Sequence, residues 1–247
     1  ERTARLLHLW GQVDFQDPKT RVQADSVLYH EDTGIGEAWG DVIVTDVATG
    51  SEARGRRATY DRKTGLAQLE SAPRLVLRET GQAETWVDAT RLVVNQDQTE
   101  VRARGDVRIQ RGTTVASADS ALLYRTRDLV LLRGKPQVRQ EGTTMRGREI
   151  DAHYRGHELE RVQVRGGARL TQARSDTLLV PGPNEVFGDS ATLHFEAGQL
   201  RRAVVVGQAR SRYAPVGARA DPAALTEPHA DATIMLFADQ EVEEVPF

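Results

Sequence analysis

Short runs of alternating apolar and polar residues recur along the chain, and each run follows a break. Residues 40–44 read GDVIV, and residues 105–109 read GDVRI. Apolar positions that alternate with a period of two are typical of a strand with one buried face. A glycine inside such a strand often marks a bulge or a sharp bend. The pattern therefore predicts strands that all bend at the same kind of position.

The break occurs seven times, with spacings of 29, 31, 34, 29, 32 and 41 residues. We call each copy a corner. The corners begin at Gly11, Gly40, Ser71, Gly105, Gly134, Gly166 and Gly207. Repeats at such a period indicate that one supersecondary unit is used many times.

A second motif lies about midway between corners, on a separate predicted strand that ends in a bulky residue and a turn. It reads Ala24-Asp25-Ser26, Gly55-Arg56-Arg57, Val87-Asp88-Ala89, Ala118-Asp119-Ser120, Gly147-Arg148-Glu149, Gly188-Asp189-Ser190 and Ala230-Asp231-Ala232. Each repeat of about 30 residues is thus two strands joined by a turn. Seven repeats predict an all-β protein of about 14–16 strands, more than a flat sheet usually holds without curling.

The third and fifth positions of each corner lie on one side of the strand, and they are mostly aliphatic. The residues between them, including Asp14, Arg74, Arg108, Gln137 and Arg169, are polar and belong in water. We therefore predict that the apolar set faces the interior: Val13, Phe15, Val42, Val44, Leu75, Val107, Ile109, Val138 and Leu170.

Composition narrows the range of functions. The 247 residues carry a net charge of −3 and no cysteine, and 30 of the 33 basic residues are arginine. No basic run exceeds two residues, which argues against nucleic-acid binding. The chain has no nucleophile elbow, phosphate loop or dinucleotide fingerprint. We predict no enzymatic activity, no catalytic residue, no cofactor and no metal.

Several short motifs look specific but fit the repeat. Residues 104–106 spell Arg-Gly-Asp at a corner, so the repeat accounts for them without a receptor. His153 and His157 have the spacing of a helical zinc pair, but they flank a predicted strand end and turn. The acidic stretch 241–244 alternates as the solvent face of a strand would. The acid of the second motif, such as Asp25, is expected to hydrogen-bond local backbone N–H groups.

The combination GQVDF, VQADSVLYHEDTGIGEAWGDVIVTD and GRRATYDRKTGLAQLE resembles the OstA-like family of lipopolysaccharide-transport β-jellyroll proteins. That family includes the periplasmic bridge protein and the N-terminal domain of its outer-membrane partner. The resemblance extends from Gly11 to about Phe237. The corners at Ser71 and Gly134 depart from the pattern because each places a proline where valine is usual.

The resemblance implies an open, twisted β-jellyroll of antiparallel strands that lies in the periplasm, either free or associated with the outer membrane. The apolar set would then be the lipid groove that carries acyl chains of lipopolysaccharide or another acylated lipid. Partners would be other OstA-like jellyrolls, or further copies of this chain, joined by pairing of strand edges. The alternative is a structural or adhesive β-solenoid of the cell envelope, such as a parallel β-helix. Antiparallel neighbours would favour the jellyroll.

We expect one domain over residues 1–247, with inserted loops near 180–185 and 213–229. The chain begins and ends within the repeat pattern. Its terminal strands are therefore expected to have free edges, which template the addition of another strand.

Overall fold

A computed structural model describes residues 5–81, 83–155, 158–172, 184–212, 229–238 and 241–244. Within these ranges the chain is almost entirely β-strand, and its one helical element is a 3₁₀ turn at Arg125–Arg127. All the strand pairings whose registers are defined are antiparallel. The predicted all-β jellyroll class is confirmed, and these ladders are not those of a parallel β-helix.

The first half of the chain contributes ten strands. They are β1 (Leu6–Gln16), β2 (Thr20–His30), β3 (Ile35–Asp46), β4 (Glu52–Asp61), β5 (Leu66–Glu70), β6 (Arg74–Leu77), β7 (Thr85–Asp88), β8 (Arg91–Asn95), β9 (Glu100–Arg111) and β10 (Thr114–Tyr124).

The second half contributes nine. They are β11 (Leu129–Arg133), β12 (Gln137–Gln140), β13 (Thr143–Arg146), β14 (Glu149–Arg155), β15 (Glu158–Gln172), β16 (Asn184–Glu196), β17 (Gln199–Arg212), β18 (His229–Ala238) and β19 (Glu241–Glu244).

Two prolines explain why nineteen strands are seen instead of about fifteen. Pro73 separates β5 from β6, and Pro136 separates β11 from β12. A proline has no N–H for the ladder, so pairing stops at these two corners. The strands facing them are interrupted as well, between β7 and β8 and between β13 and β14. If each interrupted strand is counted once, the described chain has fifteen, within the predicted range.

Each corner is a pair of consecutive residues in the left-handed region. Gly40 and Asp41 have φ values of 70° and 29°, and Gly207 and Gln208 have 81° and 46°. The same holds for the pairs that begin at Gly11, Ser71, Gly105, Gly134 and Gly166. In β3 the two corner residues face only Arg56 of β4, because the register shifts between Trp39 and Val42. The corners are therefore β-bulges, which bend the strand as the repeat predicted.

The residues of the second motif pack against the corners of neighbouring strands and so complete the bend. Its small first residue lies on the tight inner side, where a Cβ added to Gly147 would meet Val164 Cγ1 at 2.6 Å. Its polar second residue lies over the glycine of the next corner. A Cβ on Gly40 would overlap the Asp25 carboxyl group. We expected Asp25 to hydrogen-bond local backbone, but the structure packs its side chain against this glycine.

In the structure, the third copy of the second motif lies two residues later than the sequence pattern predicts. Thr90, not Asp88, lies over the next corner, where a Cβ on Gly105 would be 2.5 Å from Thr90 Oγ1. Asp88 instead accepts a hydrogen bond of 2.6 Å from Arg74 Nε. A shift of two residues keeps the same strand face, so the period-two pattern alone does not separate the two positions.

Contacts between Cα atoms group the chain into two compact units. Unit 1 comprises Glu1–Gly112 and Ala118–Arg127, and unit 2 comprises Thr113–Ser117 and Asp128–Phe247. The single domain over residues 1–247 stays a prediction. Its two inserted loops lie outside the described residues, apart from 184, 185 and 229.

Candidate functional site

Unit 1 has an apolar interior made of rows that cross the strands. Because directly opposed residues point to the same side of a sheet, successive pairings define each row. The first row runs through Phe15, Val22, Val44, Ala53, Leu75, Val87 and Ile109. The second, on the other side of the corners, runs through Leu9, Val27, Ala38, Ala58, Leu69, Leu92 and Ala103. Every member of both rows is apolar.

The two rows of unit 1 share one core. A buried cluster of Ala24, Ala38 and Val42 is packed by Val27 and Ala58 from one side of the corners and by Val44 from the other. The bend at each corner therefore folds the sheet so that its two arms face each other across an aliphatic interior.

Exposure falls along each row from the first strand inward. In the first row it decreases from 56% at Phe15 to 4% at Leu75 and 0% at Val87. In the second row it decreases from 38% at Leu9 to 0% at Leu92. The interior of unit 1 is thus open to water along β1 and closed further in. We call the interior side chains of β1 the mouth: Leu7, Leu9 and Phe15, which are exposed, and Val13, which is half-buried.

Unit 2 has matching rows that are closed throughout. One row runs through Ala116, Val138, Met145, Leu170, Val186 and Ser211. Another runs through Leu132, Ile150, Val164, Ala191, Val205 and Thr233. All these residues are buried. A ligand that enters the interior of unit 2 therefore has to displace side chains that pack on one another.

The predicted groove residues fall into two groups. Val42, Leu75, Val107, Ile109, Val138 and Leu170 are buried, whereas Val13 and Val44 are half-buried and Phe15 is exposed. Their polar neighbours Asp14, Arg74, Arg108 and Arg169 are exposed, and Gln137 is half-buried. The role of the nine residues in lipid binding stays a prediction.

Polar contacts close the side of unit 1 opposite the corners. Gln98, in the turn between β8 and β9, donates from Nε2 to Asp46 Oδ2 at the end of β3, at 2.8 Å. Arg125, in the 3₁₀ turn, donates to Glu79 Oε1, between β6 and β7, at 3.0 Å. Each contact joins the tip of one arm to the tip of the other. We call this line of contacts the seam.

Unit 2 has a corresponding contact. Gln140, at the end of β12, donates from Nε2 to the carbonyl oxygen of Gly198, in the turn between β16 and β17, at 3.3 Å. Its Oε1 accepts from the Thr114 hydroxyl. No sequence pattern indicates the seam or its counterpart in unit 2, because the partners of these contacts are 46 to 58 residues apart and follow no repeat.

The surroundings of Asp46 in the seam lower the pKa of its carboxyl group. Burial alone would raise the pKa of Asp46, but hydrogen bonds from Thr49 and Gln98 hold it below its usual value. The group therefore stays ionised at neutral pH and keeps its contact with Gln98. The seam is nonetheless a line of a few polar contacts, each worth about 1 kcal/mol, so it can open without loss of the apolar rows.

The other short motifs that look specific in the sequence are as follows in the structure. Arg104 to Asp106 form a corner of β9, and residues 241–244 form β19. His153 lies on β14, and His157 lies outside the described residues. In the part of the chain that is described, no group of three or more His, Asp or Glu could hold a metal ion. Nor does that part contain a helix with the length and hydropathy to cross a membrane.

Comparisons with known proteins do not identify a family for this chain. No family model and no curated protein matches the sequence. Among solved structures, the chain is similar to LptH of Pseudomonas aeruginosa, the LptA-homologous periplasmic component of the conserved lipopolysaccharide transport device. The alignment has 19% identity and a TM-score of 0.28, and it covers 68% of this chain and 92% of that one. A likeness at this TM-score carries no argument for the fold or function of this chain.

Proposed function

We propose that this protein is a non-enzymatic scaffold of the periplasm that binds lipopolysaccharide and carries it between the inner and outer membranes. The observation that carries the proposal is the pair of uninterrupted apolar rows across unit 1, which open to water at the mouth. The resemblance of the repeats to the OstA-like family supports the choice of lipid.

The interior suits acyl chains because it is aliphatic and continuous. Each methylene moved from water into such a surface contributes about 0.8 kcal/mol without directional contacts. A slot of this kind holds several chains in many registers, which is what a conduit needs. A catalytic site would need polar groups converging on one point, whereas each of these rows is apolar along its length in unit 1.

The edge of β1 supports assembly with further jellyrolls. Among the strand pairings whose registers are defined, β1 pairs with β2 alone. Leu6, Leu7, Trp10 and Phe15 on β1 are all at least half exposed. A long apolar edge strand favours the addition of another strand. We propose that a jellyroll of the same family, or a second copy of this chain, pairs here and extends the interior.

A photo-crosslinking experiment at the mouth tests the lipid role. p-Benzoylphenylalanine in place of Phe15 is close in shape and lies in the interior row, whereas the same group in place of Asp14 points away from it. With purified lipopolysaccharide, we expect an adduct at position 15 and none at position 14. Ile109 and Arg108 form the same matched pair deeper in the unit. Equal labelling of both neighbours, or no labelling, would contradict the proposal and leave the structural or adhesive role.

A further inference from the structure

The outer face of unit 2 carries a row of basic residues that the interior function does not use. His153, Arg161, His194 and Arg202 oppose one another directly across β14, β15, β16 and β17. The row beside it, Ala152, Val162, Leu193 and Ala203, is buried. Successive residues of a strand point to opposite faces, so the basic row lies on the outer face. We call it the His–Arg ladder.

The ladder arginines lack the ion pairs that some other arginines of unit 2 form. Arg133 and Arg165 bind Asp151, and Arg169 binds Glu185. Arg161 and Arg202 have no ion pair within the described part of the chain.

Two acids close to the ladder in sequence are already engaged, whereas Glu196, two residues after His194, is exposed at the end of β16. Asp151, two residues before His153, is bound by Arg133 and Arg165. Glu160, next to Arg161, is bound by Arg155.

The ladder also has an unused donor. The Nε atom of Arg161 is buried and has no hydrogen-bond partner among the described residues. A buried donor without a partner costs about 1–3 kcal/mol. An anion that lies along the row would accept from this donor and remove the cost.

We infer that the His–Arg ladder is an anion-binding site for phosphate groups. Arginine presents a planar fork of donors that matches phosphate in a bidentate geometry. Strands lie about 4.8 Å apart, so the two arginines of the ladder are roughly 10 Å apart, with a histidine donor between them. This spacing suits a ligand with more than one phosphate. The inference does not depend on the lipid role of the interior.

Titration of the folded protein with inorganic pyrophosphate tests the site. We expect binding by calorimetry, together with shifts of the His153 and His194 ring signals in NMR spectra. Arg161→Gln and Arg202→Gln should each weaken binding about tenfold, the loss of one charge-assisted hydrogen bond. Arg210→Gln removes the same charge from an exposed position on β17 outside the ladder, and binding should be unchanged.

Arg202 is exposed, so its replacement tests the site even if Arg161→Gln fails to fold. A bisphosphorylated disaccharide that binds more tightly than pyrophosphate would identify the ligand as a phosphorylated sugar headgroup, whereas tighter pyrophosphate binding would identify free phosphate. Two outcomes would overturn the site. One is an absence of binding by both probes, and the other is an equal loss in Arg202→Gln and Arg210→Gln.

Discussion

At the scale of single residues, the corners combine two constraints that can be separated. Gly207 and Gly167 have almost the same left-handed backbone, with φ values of 81° and 77°. A Cβ on Gly207 would overlap the Asp189 carboxyl group, whereas a Cβ on Gly167 would meet nothing within 4 Å. Gln208 occupies the corner position equivalent to Gly167, which shows that a side chain is accepted there.

We therefore expect Gly207→Ala to destabilise the protein more than Gly167→Ala. Backbone strain should cost each variant about 1 kcal/mol, and the overlap with Asp189 should add about 1–2 kcal/mol to the first. Urea denaturation of the two variants measures the difference. If the two variants are equally stable, the packing of Asp189 over the corner has no energetic role.

Asp151 provides a pH-dependent prediction. Burial alone would raise the pKa of Asp151, but hydrogen bonds from Arg133 and Arg165 hold it below its usual value. The folded pKa is lower than the unfolded one of about 3.9. The stabilisation is therefore present above about pH 4 and is lost as the pH falls through the folded pKa.

Asp151→Asn should lose about 1 kcal/mol at pH 7, since both arginine partners are partly in water. The free energies of unfolding of variant and parent should converge toward pH 3. A difference between variant and parent that stays constant across this pH range would contradict the assignment.

At the scale of elements, we expect β1 to decide whether the protein associates. Lysine on an exposed edge strand is a common barrier to strand addition. Leu7 is 50% exposed, so Leu7→Lys should leave the fold intact and shift association toward monomer. Val206→Lys is the control, because Val206 is 47% exposed on β17, which is paired on both sides.

Sedimentation velocity over a range of concentrations measures the effect. The edge hypothesis would be wrong if the parent protein is monomeric throughout, or if both lysine variants dissociate equally.

The sequence predicts those features of the fold that adjacent residues determine, and it does not predict those that depend on the pairing of distant residues. Each corner is specified by two or three adjacent residues, so the bends, the strand pairs and the inward aliphatic positions could be predicted. For the third copy of the second motif, the pattern points to Asp88 instead of Thr90, since a period of two is unchanged by a shift of two residues. The His–Arg ladder forms only because four strands pair in one particular register, so no single stretch of sequence indicates it. The seam joins residues such as Asp46 and Gln98, which no repeat connects.

At the scale of the whole molecule, the proposed function raises the question of where a lipid with a large polar headgroup would enter. Burying an unpaired polar group costs roughly 2–7 kcal/mol, so we expect the headgroup to stay in water while the acyl chains occupy the interior. The rows are closed beyond the mouth, and the border between interior and water along their length is the seam. We therefore expect transfer of a lipid along unit 1 to require that the contacts of Gln98 and Arg125 open.

Locking the seam should stop this transfer. The chain contains no cysteine, so Asp46→Cys with Gln98→Cys gives one pair that a reducible bismaleimide can link. We expect the linked protein to lose uptake of a fluorescent lipopolysaccharide and to recover it when the linker is reduced. Each single-cysteine variant, treated in the same way, controls for loss of the Asp46–Gln98 hydrogen bond. Uptake that persists in the linked protein would show that lipid enters lengthwise through the mouth, because the seam then stays closed while the end along β1 remains open.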